Sequence, residues 1–560
     1  YVLLIEKVTN PQLNKLVKEV IALQDLELEI LGRINVISDV EQLMVVDTSY
    51  FEQYDSQVDC IKELYEREYQ LLQDYLSLDE YFLPYDTEEL LRLITLQSEQ
   101  VNILLQIKNL FEKIKENDKE SSNNLIEEGY TLEKIRGKLS FPTSICFGEE
   151  GQVFIAESGF VYGRPPGEGR ILRLGKNGEL VEIASGFPGP LTGMTYDSGV
   201  FYVAIGNRGG NEKDSCGSIM KVNLNSGVKE EIISGLRTCG DHFTGDIVLG
   251  PEGKLYFGVG TATNSAVVGV DNQSWLKLHP HFHDTPARDI KLTGKKFISA
   301  NPLSDEEKIA VTGSFKPFGE VAKNNEVIKG QLLANGVLYR CKKDGSQLEL
   351  IADGFRNPFG IQFSPINNKL YVTDNGADPR GSRQVSHDWE NLWEIDLANK
   401  EKWHGWPDFF SGLPVTLPHF HVENQPNPSF LIAEHPKLAS TPITRLETHS
   451  SSNKFDFSTN PSFGHVGEVF IAQTGDMGFE DPEENHGFKV VRVNLTTGQI
   501  RPFLINPLGE HSDRGVIRPI ETKFSKNGSE LYVLDIGYIG GPKDKGREKS
   551  GALWKVKRKK

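Results

Sequence analysis

"DIVLGPEGKLYFGVG" (residues 246–260) joins an alternating strand, a glycine turn and a second strand rich in aromatic and β-branched residues. The same pattern occurs six times along the chain, at residues 144–159, 193–207, 246–260, 360–376, 454–475 and 521–537. Each copy is followed by a third strand pattern, and several are followed by a fourth. Four strands per unit, repeated in this way, predict an all-β, six-bladed β-propeller.

The end of the repeat region indicates how the ring closes. The last repeat stops after its third strand, whereas residues 130–143 (YTLEKIRGKLSFPT) have the pattern of the missing fourth strand. We therefore expect residues 131–138 to pair with residues 551–558, which removes a free sheet edge. The propeller is then predicted to span residues 130–560.

The repeats are unevenly spaced, and this predicts two insertions in the propeller. The third and fourth intervals between repeats are much longer than the first two, which places extra segments near residues 261–335 and 398–450. Long loops on one face of such a scaffold usually build a binding site.

The first 118 residues differ from the repeats in sequence pattern and predict an all-α helical bundle that precedes the propeller. Their apolar residues recur at helical spacing, and residues 1–120 hold 25 Asp and Glu against 11 Lys and Arg. A polar linker follows at residues 119–129. The leucine and tyrosine stripes are interpreted as the core of the bundle, or as a module for docking or oligomerisation.

Composition excludes several classes of partner. The net charge is −17, and the part of the chain after residue 120 is nearly neutral, so no positive surface for nucleic acid is expected. No apolar run is long enough to predict a transmembrane segment.

Cys216 and Cys239 flank one strand pair and form either a disulfide or two buried thiols. The chain begins at Tyr1, which suits a mature protein without its signal peptide, and we expect an extracytoplasmic location, secreted or in the cell envelope.

Polar side chains stand just before the first strand of several repeats. They are His242 before the third repeat, Arg356 and Asn357 before the fourth, Asn453 before the fifth and Arg518 before the sixth. Because equivalent positions of a propeller meet near its axis, these residues predict a binding pocket. The alternative is that each one only stabilises its own turn by a hydrogen bond.

The stretch "DNGADPRGSRQVSHDWENLWEI" (residues 374–395) favours a site for a hard cation. Its carboxylates, among them Asp388 and Glu390, and its glycine carbonyls are the oxygen ligands that calcium prefers. The spacing is not that of an EF-hand. The alternative is an Asx-rich loop that Arg380 and Arg383 crosslink.

A second metal hypothesis rests on "HPHFHD" (residues 279–284). In a strand, His279, His281 and His283 would lie on one face, where they could bind zinc. The alternative, which the surrounding composition favours, is a loop that packs on the rim of the propeller.

Residues 130–560 resemble the soluble pyrroloquinoline-quinone (PQQ)-dependent aldose dehydrogenases and their glucose/sorbosone dehydrogenase relatives. The stretches that carry the resemblance are "DHFTGDIVLGPEGKLYFGVG", "GFRNPFGIQFSPINNKLYVTDNGADPRGS", "HGWPDF" and the closing "LYVLDIG" and "GALWKV". The resemblance implies a sugar substrate, an external electron acceptor, and PQQ and Ca²⁺ as cofactors.

The resemblance also implies roles for individual residues. His242 matches the base that takes the proton of the anomeric hydroxyl, and Arg356 and Asn357 match residues that hold the quinone. Arg518 falls close to an arginine that faces the cofactor, and Asn453 is assigned to the same cofactor site. Gly376 and Ala377 match positions whose backbone carbonyls bind calcium, and Asp388 and Glu390 are added as candidate metal ligands.

The chain departs from the family at two positions. Where the glucose enzymes have an Asp that orients the catalytic histidine, this chain has Thr261, so Asp241 or Asp246 is the candidate substitute. No clear equivalent of the cofactor-facing lysine is found. Two further functions therefore stay open: a calcium-dependent lactonase, and a non-catalytic binding propeller.

Overall fold

The computed structural model describes residues 125–559, except 160–166, 207–216, 400–401, 440, 477–485, 510–514 and 542–543. The predicted helical bundle at residues 1–118 lies outside the described residues and stays a prediction. Cys216 also lies outside them, so both alternatives for Cys216 and Cys239, a disulfide or two buried thiols, stay predictions.

Six antiparallel sheets of four or more strands form the propeller. The first strands of successive blades contact one another in order around the ring, and the first strand of blade six contacts that of blade one. The four strands of the blades, from the axis outward, are Pro142–Phe147, Val153–Glu157, Glu168–Leu174 and Leu180–Pro188 (blade one); Leu191–Asp197, Val200–Ile205, Gly217–Asn223 and Lys229–Leu236 (two); Thr244–Leu249, Leu255–Val259, Val337–Cys341 and Glu349–Asp353 (three); Pro358–Phe363, Leu370–Asp374, Glu390–Ile395 and Thr444–Leu446 (four); Ser452–Phe457, Glu468–Gln473, Lys489–Asn494 and Ile500–Ile505 (five); and Pro519–Phe524, Leu531–Asp535, Gly551–Arg558 and Tyr130–Leu139 (six). The sequence prediction of a six-bladed propeller is confirmed.

The inner strands are apolar on both faces because each blade is sandwiched between two neighbours. Every residue of the second strand of blade three, Leu255–Val259, is buried, as is every residue of Leu370–Asp374 in blade four. The sequences of strands that are covered on both faces are nearly continuous hydrophobic runs. The outer strand Lys229–Leu236 begins with three exposed residues, because one of its faces and its edge meet solvent.

The ring closes as the sequence predicts. Tyr130–Leu139 pairs antiparallel with Gly551–Arg558, with Thr131 opposite Lys557 and Leu139 opposite Gly551. Leu125–Ile126, within the segment assigned to the linker, adds a fifth strand to blade five by pairing with Leu504 and Ile505. Residues 125–129 are thus joined to two adjacent blades.

Two long connections build a second layer of structure on the propeller. Residues 260–336 join the second and third strands of blade three, and residues 396–443 join the third and fourth strands of blade four. They contain the short strand pairs Ile290–Lys291 with Val327–Ile328, Lys296–Ala300 with Ile309–Gly313, and Phe409–Phe410 with Leu413–Pro414, and the short helices Val270–Asn272, Gln273–Leu276 and Pro418–Phe420. Both connections share one apolar core with Ala377 and Trp389 of the blade-four loop, and so hold that loop against the propeller.

Candidate functional site

His242 lies two residues before the first strand of blade three, and its ring is held by Thr261. Its Nδ1 is 2.9 Å from the Thr261 carbonyl oxygen and 3.2 Å from the Thr261 hydroxyl. The hydroxyl already donates its proton to the carbonyl of Thr263 at 2.7 Å, so it faces the ring as an acceptor. With two acceptors beside it, Nδ1 carries the ring proton and Nε2 carries the lone pair.

The surroundings of His242 keep the imidazole neutral. Burial, and then the positive charges of Arg356 and Arg380, hold its pKa well below the usual value. Within the described part of the chain, Nε2 accepts no hydrogen bond. The ring is therefore neutral, and its accepting nitrogen Nε2 has no hydrogen-bond partner among the described residues.

The two carboxylates proposed as partners of His242 are engaged elsewhere. Asp241 pairs with Arg380 at 2.8 Å and accepts a hydrogen bond from Asn272. Asp246 pairs with Lys454 at 3.2 Å. Among the described residues, no hydrogen bond joins either carboxylate to the imidazole, which is held by the neutral Thr261 instead.

Arg356 and Asn357 lie next to His242, on the turn that leads into blade four. The Arg356 guanidinium donates to Asn264 Oδ1 from Nε and Nη2, to the Asn375 carbonyl, and to Asp378 at 2.8 Å. A Cβ added to Gly260 would meet both the His242 Cβ and the Asn357 Oδ1 within 3.0 Å. Only a glycine lets these two side chains come this close.

Asn453 and Arg518 continue the same row of polar groups through blades five and six. Asn357 donates to Asn375 Oδ1 at 2.9 Å, and Asn375 in turn donates to the Ser452 carbonyl at 2.9 Å. Beyond Ser452, Asn453 donates to the Thr474 hydroxyl at 2.6 Å, and Arg518 donates to the Thr474 carbonyl at 3.0 Å while its guanidinium stacks on Phe488. The structure thus brings the five predicted residues into one connected arc at the strand entrances of blades three to six.

Asp388 and Glu390 accept hydrogen bonds from the blade-four loop and from the segments packed against it. Asp388 accepts from the Ala377 amide at 2.8 Å and from the Ser411 hydroxyl at 2.9 Å. Glu390 accepts from Asn375 and from the amides of Ser451 and Ser452. Burial raises the pKa of Asp388 to about 6 and that of Glu390 to about 8.

Gly376 and Ala377 are buried, and within the described residues their carbonyl oxygens accept no hydrogen bond. Gly376 is required where it stands, because a Cβ would meet the Asp388 carbonyl oxygen at 2.6 Å. Buried carbonyls are nearly always paired, so the two unpaired carbonyls of Gly376 and Ala377 suit an oxygen-seeking cation. Among the described residues no three His, Cys, Asp or Glu side chains are grouped closely enough to hold a metal ion.

The histidines of residues 279–284 do not form the one-sided row that a strand would give. His279 is buried and follows the helix Gln273–Leu276, whereas His281 is exposed and the segment turns between them. His283 accepts or donates within the segment itself, through Nδ1 and the His281 carbonyl at 2.9 Å. The rim-loop interpretation fits this geometry, and the zinc interpretation does not.

Arg380 and Arg383 crosslink the blade-four loop, as the alternative interpretation of that stretch expects. Arg380 pairs with Asp241, Asp271 and Asp378, each within 3.1 Å. Although burial opposes it, Arg356, His449 and Arg380 hold the pKa of Asp378 well below its usual value. Arg383 pairs with the fully buried Asp408 of the second long connection.

Sequence reasoning missed three residues that organise the site. Asn264 binds both the Arg356 guanidinium and the Asp378 amide, and Asp284 holds the segment after Thr261. His449 lies 3.5 Å from Asp378 at the entrance to blade five. Asn264 and Asp284 lie in the long connection of blade three, whose sequence has no repeating pattern. The repeats therefore gave no indication of either residue. His449 precedes a first strand as His242 does, and that position was a usable signal.

Comparison with known proteins gives distant similarities. No protein-family model matches the chain. An uncharacterized protein of Borreliella burgdorferi is 26% identical over 197 residues, which are 34% of this chain and 47% of that protein. A gluconolactonase of Zymomonas mobilis is 29% identical over 127 residues, 23% of this chain and 32% of the enzyme. The match thus spans less than half the length of either curated relative.

Solved structures with a similar arrangement include the holo form of the pyranose dehydrogenase PQQ domain from Coprinopsis cinerea. It is 15% identical, with a TM-score of 0.47, and the alignment covers 79% of this chain and 98% of that domain. The fold assignment for this chain rests on its own six sheets. Within the described residues no helix is long and apolar enough to cross a bilayer.

Proposed function

We propose that this chain is an oxidoreductase that oxidises an aldose or a related sugar, with PQQ and calcium bound at the arc of blades three to six. The observation that carries the proposal is the state of His242, a neutral imidazole with its proton on Nδ1 and an open Nε2. A base in this state can take the proton of a sugar hydroxyl at neutral pH. The sequence resemblance assigns the same residue to that step.

The residues around His242 suit the two cofactors. Arg356 and Asn357 present a guanidinium and an amide beside the base, and Arg518 adds a second guanidinium from blade six. Planar guanidinium groups match carboxylates and carbonyls, which are the polar groups of this quinone. The open carbonyls of Gly376 and Ala377 are hard oxygen donors that calcium prefers.

Each protein group then has one task. When bound, the quinone supplies a two-electron acceptor and the calcium ion supplies a Lewis acid. Nε2 of His242 accepts the hydroxyl proton, and Thr261 keeps the lone pair of the ring on that nitrogen. Asp388 and Glu390 fix the backbone that would present the carbonyls of Gly376 and Ala377.

The proposal is tested by reconstituting the purified chain with PQQ and Ca²⁺ and following the reduction of a dye with a panel of aldoses. We expect saturable PQQ binding that requires Ca²⁺, and sugar-dependent dye reduction. His242→Ala should keep quinone binding and lose roughly 100-fold or more in kcat, the usual share of a general base. Absence of both quinone binding and dye reduction in the wild-type chain would overturn the proposal.

A calcium-dependent lactonase is the second candidate, because the chain matches part of a gluconolactonase. A metal-centred lactonase needs several acidic ligands around one ion, whereas Asp388 already accepts a hydrogen bond from the Ala377 amide and Glu390 from the Ser451 amide. The same preparation should be assayed for hydrolysis of aldonolactones with Ca²⁺ and without quinone. Lactone hydrolysis that needs Ca²⁺ alone, with no sugar oxidation, would favour this candidate over the dehydrogenase.

A further inference from the structure

We propose that Asp284 is the carboxylate that positions His242, acting through Thr263 and Thr261 rather than by direct contact. The family's orienting aspartate is absent from this chain, and Asp284 comes from the long connection of blade three. The kinetic consequence rests on the proposed function, whereas the effect on the imidazole itself does not.

The connection between Asp284 and His242 is a continuous series of short hydrogen bonds. Asp284 accepts from the Ala262 amide at 2.6 Å through Oδ1 and from the Thr263 hydroxyl at 2.5 Å through Oδ2. The carbonyl of Thr263 accepts from the Thr261 hydroxyl at 2.7 Å, and the Thr261 oxygens face Nδ1 of His242. The three residues between the carboxylate and the imidazole, Thr261, Ala262 and Thr263, are therefore fixed by one another.

The carboxylate is itself held rigidly. Asp284 is 1% exposed, and the adjoining Thr285 exchanges hydrogen bonds of 2.9 Å with Asn335, which closes the connection of blade three. Asn335 also donates to the carbonyl of Gly260, the residue directly before Thr261. The segment that Asp284 binds, residues 260–263, is thus fixed at both of its ends.

The same segment supports the backbone of His242 as well as its ring. The Asp241 amide donates to the Ala262 carbonyl at 2.9 Å, and the His242 amide donates to the Thr261 carbonyl at 3.2 Å. Gly240 has a φ of 123° and passes so close to Ala262 that a Cβ would lie 2.2 Å from its carbonyl oxygen. A shift of residues 261–263 would therefore move the imidazole directly.

Loss of Asp284 has a defined chemical consequence. Without the carboxylate, the Thr263 peptide is no longer held, and the Thr261 hydroxyl loses the carbonyl to which it donates. Residues 261–263 can then shift so that the Thr261 carbonyl moves away from Nδ1, and the freed hydroxyl can rotate and donate to that nitrogen, which moves the ring proton to Nε2. In that tautomer the nitrogen that faces the ligand is a donor, and His242 is no longer a base.

The tautomer is measured by ¹⁵N NMR of histidine-labelled protein without added cofactor, with His242→Gln used to assign the signal. We expect the wild-type ring to be protonated on Nδ1, and Asp284→Asn and Thr263→Val each to shift it toward protonation on Nε2. Asp456→Asn is the control, because that partly buried carboxylate likewise accepts two hydrogen bonds, both from backbone amides, but lies away from His242. An unchanged Nδ1–H signal in both folded variants would refute the proposal.

A rescue experiment separates positioning from general loss of structure. Thr261→Asp puts a carboxylate where the Thr261 hydroxyl lies 3.2 Å from Nδ1, so it should restore the Nδ1–H tautomer in the Asp284→Asn background. In an active enzyme, Asp284→Asn should lower kcat about 10-fold or more, with KM little changed. Sugar oxidation that is absent in every form would overturn the proposed function alone, because the NMR result stands without it.

Discussion

His242 keeps its proton on Nδ1 because both oxygens beside that nitrogen are acceptors, one of them a hydroxyl whose own proton is committed to Thr263. Because Thr261 is neutral, it makes the His242 ring a weaker base but also leaves the ring unprotonated at lower pH. Thr261 brings no negative charge that would stabilise the protonated ring, and Arg356 and Arg380 oppose protonation further. The result is a weak base that stays available in acid.

This predicts an unusual pH profile for the reaction. A free histidine loses its basic form below about pH 6.5, whereas the lowered pKa of His242 keeps the neutral ring populated well below that pH. We expect kcat/KM to stay level from pH 8 to below pH 6, and to fall only in more acid solution. The measurement is the pH dependence of dye reduction at fixed ionic strength. A fall centred near pH 6.5 would show that the ring titrates normally and that the buried, neutral state is wrong.

Arg356 gives a second prediction at this scale. Its planar guanidinium donates to Asn264 from two nitrogens and to Asp378 from one of them, an arrangement that an ammonium group cannot reproduce. Arg356→Lys should lower the free energy of unfolding by about 1–3 kcal/mol, since buried acceptors lose their donors. It should also weaken quinone binding.

The control for this variant is Arg173→Lys, because Arg173 lies exposed on the third strand of blade one. It should change the free energy of unfolding by less than about 0.5 kcal/mol in urea unfolding. Equal effects of the two substitutions would contradict the role given to Arg356.

The sequence indicated the members of the site but not the bonds among them. His242, Arg356, Asn357 and Arg518 were found because each precedes a first strand, and Asn453 because it lies at the start of one; the repeat places these positions near the axis. The partners Asn264 and Asp284 lie in a long connection, where no period relates a residue number to a place in the fold. Hydrogen bonds between such segments follow from tertiary packing, which pattern reasoning does not reach.

At the scale of the element, the fourth strand of blade six comes from the start of the propeller, so the ring is closed by hydrogen bonds between its two ends. Strand patterns specified this pairing, because a blade with three strands leaves an unpaired edge. The addition of Leu125–Ile126 to blade five was not foreseen, since two residues carry no readable alternation. Likewise, the repeat pattern marked where the long connections lie but not that they share a core.

The closure predicts a stabilising crosslink. Thr131 and Lys557 are directly opposite each other on the paired strands, near the surface. Thr131→Cys with Lys557→Cys should form a disulfide on oxidation and raise the Tm, because it closes a very long loop in the unfolded chain. The gain in the free energy of unfolding is at most about 5 kcal/mol. It is measured by thermal unfolding of the oxidised and reduced protein.

A pair of cysteines out of register is the control for the crosslink. Lys555 lies opposite Glu133, two residues away from the partner of Thr131. Thr131→Cys with Lys555→Cys should therefore crosslink poorly and leave the Tm unchanged on oxidation. Efficient crosslinking of this pair in place of the first would show that the strands pair in another register.

At the scale of the whole molecule, Lys454 links the blades of the propeller near its axis. Its side chain is 1% exposed. The ammonium group starts from blade five and donates to the carbonyls of Thr143 in blade one and Thr192 in blade two, at 2.8 and 2.7 Å. It also pairs with Asp246 of blade three at 3.2 Å and Glu521 of blade six at 3.6 Å. One buried charge thus links five of the six blades.

This arrangement predicts that Lys454→Met destabilises the propeller as a unit. The methionine fills the space, but the two carbonyls lose a donor and both carboxylates lose their countercharge. Breaking such a buried network from one side costs about 3–5 kcal/mol. The measurement is urea unfolding at pH 8, with Lys176→Met as the control because Lys176 is exposed in a turn of blade one. The two substitutions should differ by most of that amount.

The pH dependence of the loss identifies its cause. Burial already raises the pKa of Glu521 to about 7, so a group that normally ionises near pH 4.5 binds its proton more tightly in the folded state. A carboxyl with a raised pKa destabilises the fold as the pH rises from its unfolded to its folded pKa, and removal of Lys454 raises the folded pKa further. The cost of Lys454→Met should therefore be clearly smaller at pH 5 than at pH 8, and Glu521→Gln should recover part of it at pH 8. A loss that is equal at both pH values would mean that packing, rather than the buried charges, holds the blades together at the axis.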